Sequence, residues 1–463
     1  MRRYAAILTT ALLAFSCALP APEVPSLQGT APSDPAARRD AFEEIRQDVN
    51  RAGNVFYMYD FDVPEFTAAP RGYKPLYISH YGRHGARKHE SDASFETIYG
   101  IFHTALSRDL LTERGKQFLE IYDSMYPEMH GHGGDLTEAG VEQQRVLAHR
   151  MLHNYRRVFR RNARVDAVSS TVPRCILTMA SFCERLKLER PDLQISQQSS
   201  KSTMHYANPF TEFNKDVQPT DAGFFNKSAW WMDGFEEFRQ DNLCPEKVFG
   251  PLIKDLSILE EFGDPEKLEF DFYEAAQSLQ DCPQFDFSLW DFFPYDELCK
   301  AYEVANVMFF LTKGPDTLYQ KGRQWAFVWP TLQNILDQAD EDLASGEYAA
   351  RLRFGHDIIP MAMLMLLDVD GYNTAVPDLS QVKDVFHSYD YPMSLNLQFV
   401  FYSNRQSDIL VRVMYNERDL TFNIPDCGRP HYYRWDDFKS YAQERIDHAR
   451  GIIAATQAPP EKI

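Results

Sequence analysis

Arg83-His84-Gly85-Ala86-Arg87 lies within the stretch "HYGRHGARKHES", His80–Ser91. A neutral imidazole attacks phosphorus without first losing a proton, so His84 suits the role of nucleophile. Guanidiniums on either side grip phosphate oxygens in pairs. They also neutralise charge that would repel the incoming nitrogen. Gly85 removes a side chain where a ligand must come close. The chemistry these types and spacings suit is phosphoryl transfer to nitrogen. A solvated basic loop carrying a stray histidine is the competing reading of these five residues. Lys88 and His89 follow directly and are candidates for a substrate rim that meets further phosphates.

Such a loop needs a rigid element behind it. "KPLYISHYG", Lys74–Gly82, is short and β-prone with turn chemistry at its end, so it reads as a strand. "ARVDAVSST" reads as a second strand, followed by Pro173 at a helix start. "RLRFGHD", Arg351–Asp357, is a third, and "IIPMAMLMLL" continues as a buried helix. "LNLQFVFYS" alternates Leu395, Leu397, Phe399 and Phe401, and "DILVRVMYN" pairs with it across the turn at Asn404–Ser407. "GGDLTEAGVEQQRVLAHRMLHNYRRVF" begins a helix, with Asp135 as N-cap, Glu138 closing a capping box, and an apolar stripe of Val141, Leu147, Met151, Tyr155 and Val158. Strands that end in polar residues and lead into helices make the fold class α/β, with sites beyond the strands' carboxyl ends. The aromatic, acidic stretch 206–335 lacks alternating runs and reads as a mainly helical inserted domain. The α/β domain then comprises 41–205 and 336–455.

The chain of 463 residues is 44% hydrophobic and 14% aromatic, which bounds it as a folded protein of two or three domains. Its formal charge of −19 excludes a global basic field, so nucleic acid is not a partner and a polyanion must be met in a local pocket. "MRRYAAILTTALLAFSC" reads as a signal peptide over 1–17, with an apolar run too short to span a bilayer. Ser16-Cys17 resembles a bacterial lipobox, which implies lipidation at Cys17 and a membrane tether; ordinary cleavage near Ala18 is the alternative. Residues 18–40, rich in Pro, Ala and Ser, read as a flexible tether. The expectation is export, to the periplasm or the cell surface of a bacterium. Cys175, Cys183, Cys244, Cys282, Cys299 and Cys427 permit disulfides in such a compartment, with no pairing favoured.

Arg83-His84-Gly85-x-Arg87 resembles the signature of the histidine phosphatase superfamily, in the branch of histidine acid phosphatases, phytases and multiple inositol polyphosphate phosphatases. Further stretches match in order. "DLTEAG" resembles the branch's Leu-Thr-x-x-Gly helix start. "SSTVPRCILTMASF" resembles its Ser-Ser-x-x-x-Arg segment, and "GHD" its late His-Asp pair. The match spans roughly residues 44–450. It implies a three-layer α/β/α domain like that of phosphoglycerate mutase. His84 would form phosphohistidine, while Arg83, Arg87, Arg174 and His356 bind phosphoryl oxygens. Asp357 would protonate the leaving alcohol and then assist water. The resemblance implies no cofactor and no metal, because arginines supply the positive charge. The chain departs from the branch in two places. Lys88-His89 replaces the frequent x-Pro, and His356-Asp357 stands where inositol polyphosphate phosphatases commonly carry His-Ala-Glu.

The function implied is an exported phosphomonoesterase acting on inositol polyphosphates such as phytate. A broad acid or sugar phosphatase, a phosphomutase and a non-catalytic phospholigand-binding lipoprotein are the rivals. Taken alone, His356-Asp357 also reads as a helix cap and Arg174 as a surface arginine. His80, His89 and His103 have spacings that fit no common metal ligand set, and His130 and His132 read as loop residues. Trp230 and Trp231 read as core or interface residues, and Lys201 and His205 as lesser candidates for substrate contact.

Overall fold

The computed structural model describes residues 39–65, 67–208, 232–315, 322–374, 376 and 378–457. The signal peptide with Cys17, nearly all of the tether, and Trp230 and Trp231 lie outside these. The first helix, Ala41–Gln47, is capped by Asp40, whose side chain accepts from the Phe42 and Glu43 amides.

Eight strands of the described residues form one sheet: β1 (Lys74–Arg83), β2 (Arg164–Ser169), β3 (Gln194–Ser199), β4 (Ala350–Gly355), β5 (Asn396–Ser403), β6 (Ile409–Tyr415), β7 (Arg418–Asp419) and β8 (Tyr433–Arg434). The order is β3-β2-β4-β1-β5-β6-β7, with β8 also paired to β6. β3, β2, β4 and β1 are parallel, and β5 joins β1 antiparallel. The carboxyl ends of β1, β2 and β4 therefore lie along one edge. Arg83 sits opposite Gly355 in the register.

Alternation along the strands builds two cores. Tyr77, Tyr81, Leu397, Phe399, Phe401, Val411 and Val413 face one. Ile78, Val165, Ala167, Leu352, Phe354, Val400 and Tyr402 face the other. The helices Glu138–Asn154 and Pro173–Glu189 cover the second face through Leu147, Met151, Phe182 and Leu186. The helices Trp329–Ser345, Ile358–Leu366 and Trp435–Gln457 cover the first. This is a three-layer α/β/α sandwich. Ile358–Leu366 is buried throughout, as its unbroken apolar run requires.

Two local expectations are corrected. The N-cap of Glu138–Asn154 is Thr137, whose Oγ1 accepts from the Gly140 amide at 3.2 Å; Asp135 instead meets His132 Nδ1 at 3.1 Å. Leu147, Met151, Tyr155 and Val158 of the apolar stripe are buried, but at its start the helix buries Gly140, Gln143 and Gln144, while Val141 is only half-buried. Gln143 is buried because its Oε1 accepts from the Ala86 amide in the loop after β1, and Gln144 because its Nε2 donates to Ser394 Oγ at 2.9 Å. Finally, the six described cysteines are free thiols.

Residues 232–315 are mainly helical, including Met232–Asn242, Pro265–Gln277 and Tyr295–Lys313. Their apolar side chains share one core with the helices Ala93–Ser107 and Glu113–Met129, which come from the amino-terminal half of the chain. The helix Trp329–Ser345 runs through the expected boundary at 335 and packs on β1.

Candidate active site

Three strand ends deliver the expected groups to one place. His84 follows β1 and its amide donates to the Gly355 carbonyl at 2.9 Å, so it is tied directly to the end of β4. Arg174 follows β2 in the first turn of Pro173–Glu189. His356 and Asp357 follow β4. The His84 and His356 ring centres are 5.7 Å apart.

The loop after His84 is held by side chains rather than by a strand. The Gly85 amide donates to Thr178 Oγ1 (3.1 Å), the Ala86 amide to Gln143 Oε1 (2.9 Å) and the Arg87 amide to Asp281 Oδ2 (3.2 Å). Gln143 Oε1 also accepts from Ser394 Oγ at 2.7 Å, and the Ser394 amide donates to the His84 carbonyl at 3.1 Å. Gly85 and Gly140 cross here backbone to backbone. A Cβ on Gly85 would stand 2.4 Å from the Gly140 carbonyl oxygen, and one on Gly140 would stand 2.3 Å from that of Ala86. Gly85 thus makes room for the start of a helix, where the sequence suggested room for a ligand.

His84 Nδ1 lies 2.9 Å from the Gly85 carbonyl oxygen. A carbonyl only accepts, so Nδ1 carries the proton and Nε2 keeps the lone pair. Burial, and then the charges of Arg83, Arg87 and Arg174, push this imidazole well below its ordinary pKa. It is neutral across the physiological range, the state a nitrogen nucleophile requires.

Burying a guanidinium costs several kcal/mol, roughly, unless its donors are met. Arg83, 1% exposed, donates through Nη1 to the carbonyls of Val55 (2.8 Å) and Tyr391 (3.0 Å). Its Nη2 lies 3.4 Å from Asp357 Oδ2. Arg87 lies over the Phe56 ring at 4.8 Å and donates to the Lys88 carbonyl at 2.9 Å. Burial pulls Arg87 down to about 10, which still leaves it charged. Glu90 bridges the grip, with Arg174 Nη2 at 3.0 Å and Arg87 Nη2 at 3.7 Å. Yet Arg83 Nε, Arg87 Nε and Arg174 Nε are all buried with no hydrogen-bond partner among protein atoms. Three buried cationic donors with unused capacity fit a multiply charged oxyanion.

Asp357 caps a helix and also lies among the candidate site residues. Its Oδ1 accepts from the Ile358 amide at 2.9 Å, so the helix-cap reading of this residue is also correct. Its Oδ2 faces Arg83 and also Lys313 Nζ, 3.5 Å away. Burial raises the carboxyl, but Lys313, Arg83, His356 and Arg87 outweigh it and hold it well below the usual range. His356 is lowered to about 4, by burial and then by Arg174. Its Nε2 lies 3.3 Å from Ser170 Oγ.

The rim candidates are turned to other uses. Lys88 Nζ donates to the Glu128 carbonyl, and the His89 ring stacks on Phe56 at 5.6 Å. His80 is a core histidine between Phe182 and Phe354, pushed down to about 3 by burial and Arg353. His103 pairs with Asp123 and His130 with Glu96. Among the described residues no group of three His, Cys, Asp or Glu is arranged to hold a metal ion. Lys201 is exposed.

Sequence reasoning missed Glu90, Asp281 and Lys313. Glu90 was visible, three residues after Arg87 in the quoted stretch. Asp281 and Lys313 come from the mainly helical residues 232–315, and nothing local marks them. Asp281 is fully buried and its carboxyl is driven well above the ordinary range by that burial; the Arg87 amide and the nearby guanidiniums oppose the shift. A cavity of about 370 Å³ is lined by Tyr57, His387, Tyr389, Tyr391 and Tyr415, and none of the candidates Arg83, His84, Arg87, Arg174, His356 and Asp357 lines it.

No family model and no curated protein matches the chain. Solved structures do. The Bifidobacterium longum multiple inositol polyphosphate phosphatase, in complex with inositol hexasulfate, aligns over 84% of this chain and 97% of its own, at 16% identity and a TM-score of 0.65. Its complex with phosphate aligns over 86% and 98%, also at 16% and 0.65. The phytase of D. castellii aligns over 86% and 85%, at 14% identity and a TM-score of 0.60. The chain has the fold of the histidine acid phosphatase branch. In this fold, the parallel strand ends carry the groups assembled above, and residues 232–315 supply Asp281 and Lys313 around them.

Proposed function

We propose that the chain is a phosphomonoesterase that hydrolyses inositol polyphosphates such as phytate through a phosphohistidine on His84. The observation that carries this reading is the pairing of a neutral, Nδ1-anchored imidazole with three guanidiniums whose buried Nε donors are unused. Arg83, Arg87, Arg174 and His356 take the phosphoryl oxygens, and Glu90 gives way. His84 Nε2 forms the P–N bond as the ester P–O bond breaks. Asp357 gives its proton to the leaving alkoxide, a step that contributes roughly 10²–10⁴-fold for a poor leaving group. Water then attacks phosphorus, Asp357 takes a proton from it, the P–N bond breaks, and the lone pair returns to Nε2.

A carboxyl held ionised in the free protein must gain its proton before it can act as an acid. An incoming phosphoryl anion neutralises Arg83 and so lifts Asp357, and acidic pH favours the same state. This supports work below neutrality. The amino-terminal segment supports export, with Cys17 as the tether. The test of the intermediate is brief incubation with radiolabelled phytate, quenched in alkali, which preserves phosphohistidine. Label on the wild type and none on His84→Asn is the expected result. Label retained by the variant would place the nucleophile elsewhere.

A further inference from the structure

The proton donor carries one cation more than a phosphate grip needs. Lys313 ends the helix Tyr295–Lys313, and its ammonium lies 3.5 Å from Asp357 Oδ2. Its side chain is 16% exposed and rests over the Phe309 ring at 4.3 Å. As a merely structural counterion, Lys313 would be placed badly. It faces Arg83 and Arg87 as well as Asp357; burial lowers its ammonium, Asp357 opposes the shift, and Arg83 and Arg87 add to it. It also holds the donor in the form that cannot donate.

The two oxygens of Asp357 have different work. Oδ1 is committed to the Ile358 amide. Oδ2 is the oxygen left to hand a proton to the ester oxygen. Lys313 touches Oδ2, so it stands on the leaving-group side of the scissile phosphate. Resting on the proposed phosphatase reading, we propose that Lys313 selects leaving groups that carry an anionic group of their own. A second phosphate on a neighbouring carbon draws the ammonium from Oδ2. The carboxyl, relieved of that cation, takes a proton from solvent and delivers it as the P–O bond breaks. A leaving alcohol without a second anion leaves Lys313 in place and Asp357 ionised.

The charged and titratable groups facing Asp357 are Lys313 from the inserted helix, Arg83, Arg87 and Tyr81 from β1 and its loop, and His356 beside it. Removing Lys313 therefore raises the carboxyl. The acid form then survives to higher pH, and the alkaline limb of kcat/KM moves up, by about one pH unit for an opposite charge at this range.

The experiment compares wild type, Lys313→Gln and Lys313→Arg on phytate, glycerol 2-phosphate and p-nitrophenyl phosphate from pH 3 to 8. For Lys313→Gln, kcat/KM on phytate falls about tenfold or more. Activity on glycerol 2-phosphate rises and its alkaline limb shifts up, and p-nitrophenyl phosphate, which needs no proton, changes least. Lys313→Arg keeps the preference for phytate. Equal loss on all three substrates, or an unmoved alkaline limb, overturns the proposal. Calorimetric titration with inositol hexasulfate and with inorganic phosphate decides independently of turnover. Lys313→Gln should weaken the hexasulfate about tenfold and phosphate much less, and equal effects overturn the proposal. A wild type that hydrolyses none of the three substrates refutes the phosphatase reading instead, and the titration still decides the role of Lys313 in binding.

Discussion

Gly140→Ala should cripple turnover while leaving the protein folded. The added methyl would stand 2.3 Å from the Ala86 carbonyl oxygen and 2.8 Å from its amide nitrogen. Real Cβ contacts essentially never fall below 3.0 Å, and both obstacles are backbone, so no side chain can swing away. The helix or the loop must retreat by at least about 0.7 Å, the difference between those separations. Overpacking of this kind costs roughly 1–3 kcal/mol of stability. The larger effect is on catalysis. The loop that moves carries His84 and Arg87, and its anchors at Gln143 and Thr178 hold it to one position. A displacement near 1 Å of a reacting group costs on the order of 10²-fold in rate. The assay is kcat on an aryl phosphate, with urea unfolding of the same preparations. A loss of about 10²-fold with a stability change of no more than about 3 kcal/mol is expected. A variant with kcat within twofold of wild type would refute the reasoning, because it would show that the helix start does not set the position of the nucleophile.

Other perturbations follow from the same contacts. Asp357→Asn should reduce hydrolysis of phytate by roughly 10²–10⁴-fold and of p-nitrophenyl phosphate far less; equal losses would remove Asp357 as the proton donor. Glu90→Gln removes a carboxylate that competes for Arg87 and Arg174, so inorganic phosphate should bind severalfold tighter by calorimetry, and an unchanged affinity would contradict the competition. Its effect is modest because the Glu90 side chain is 64% exposed. Glu269 is fully buried, with no partner for either carboxyl oxygen, and burial followed by Glu297 raises it to about 8. The folded state therefore holds a proton that the unfolded state releases near pH 4.3, and stability falls as pH rises from about 4 to 8. Glu269→Gln should flatten that slope, which is at most about 1.4 kcal/mol per pH unit, in denaturant titrations; an unchanged slope would show that Glu269 ionises normally.

What could be read from the sequence was whatever lies within a few residues of a strand end. His84, Arg174, His356 and Asp357 each follow a strand or begin a helix, and the parallel register of β1, β2 and β4 brings those ends to one edge. Local pattern places those strands and helix starts, while the choice of Arg174, His356 and Asp357 comes from the resemblance, since alone they read as a surface arginine and a helix cap. The helix Glu138–Asn154 shows where pattern misleads. Leu147 and Met151 of the apolar stripe are buried, but the first turns bury Gly140, Gln143 and Gln144, and Gly140 and Gln143 are chosen by the backbone at Ala86, far away in sequence. Asp281 and Lys313 show the same limit more sharply. Each acts on the site through one contact made across the inserted segment, and a lone acid among aromatic residues or a lone lysine at a helix end has many other uses. The free cysteines were equally illegible, since spacing alone does not say which thiols meet.

Phosphate release from phytate at pH 4 to 7, in the presence of EDTA, tests the proposed chemistry most directly when wild type is compared with His84→Ala. Release by the wild type and none by the variant is the predicted result, and it would establish a metal-independent phosphatase that uses His84. Equal release by both would contradict the nucleophile, and release by neither would contradict phytate as the substrate.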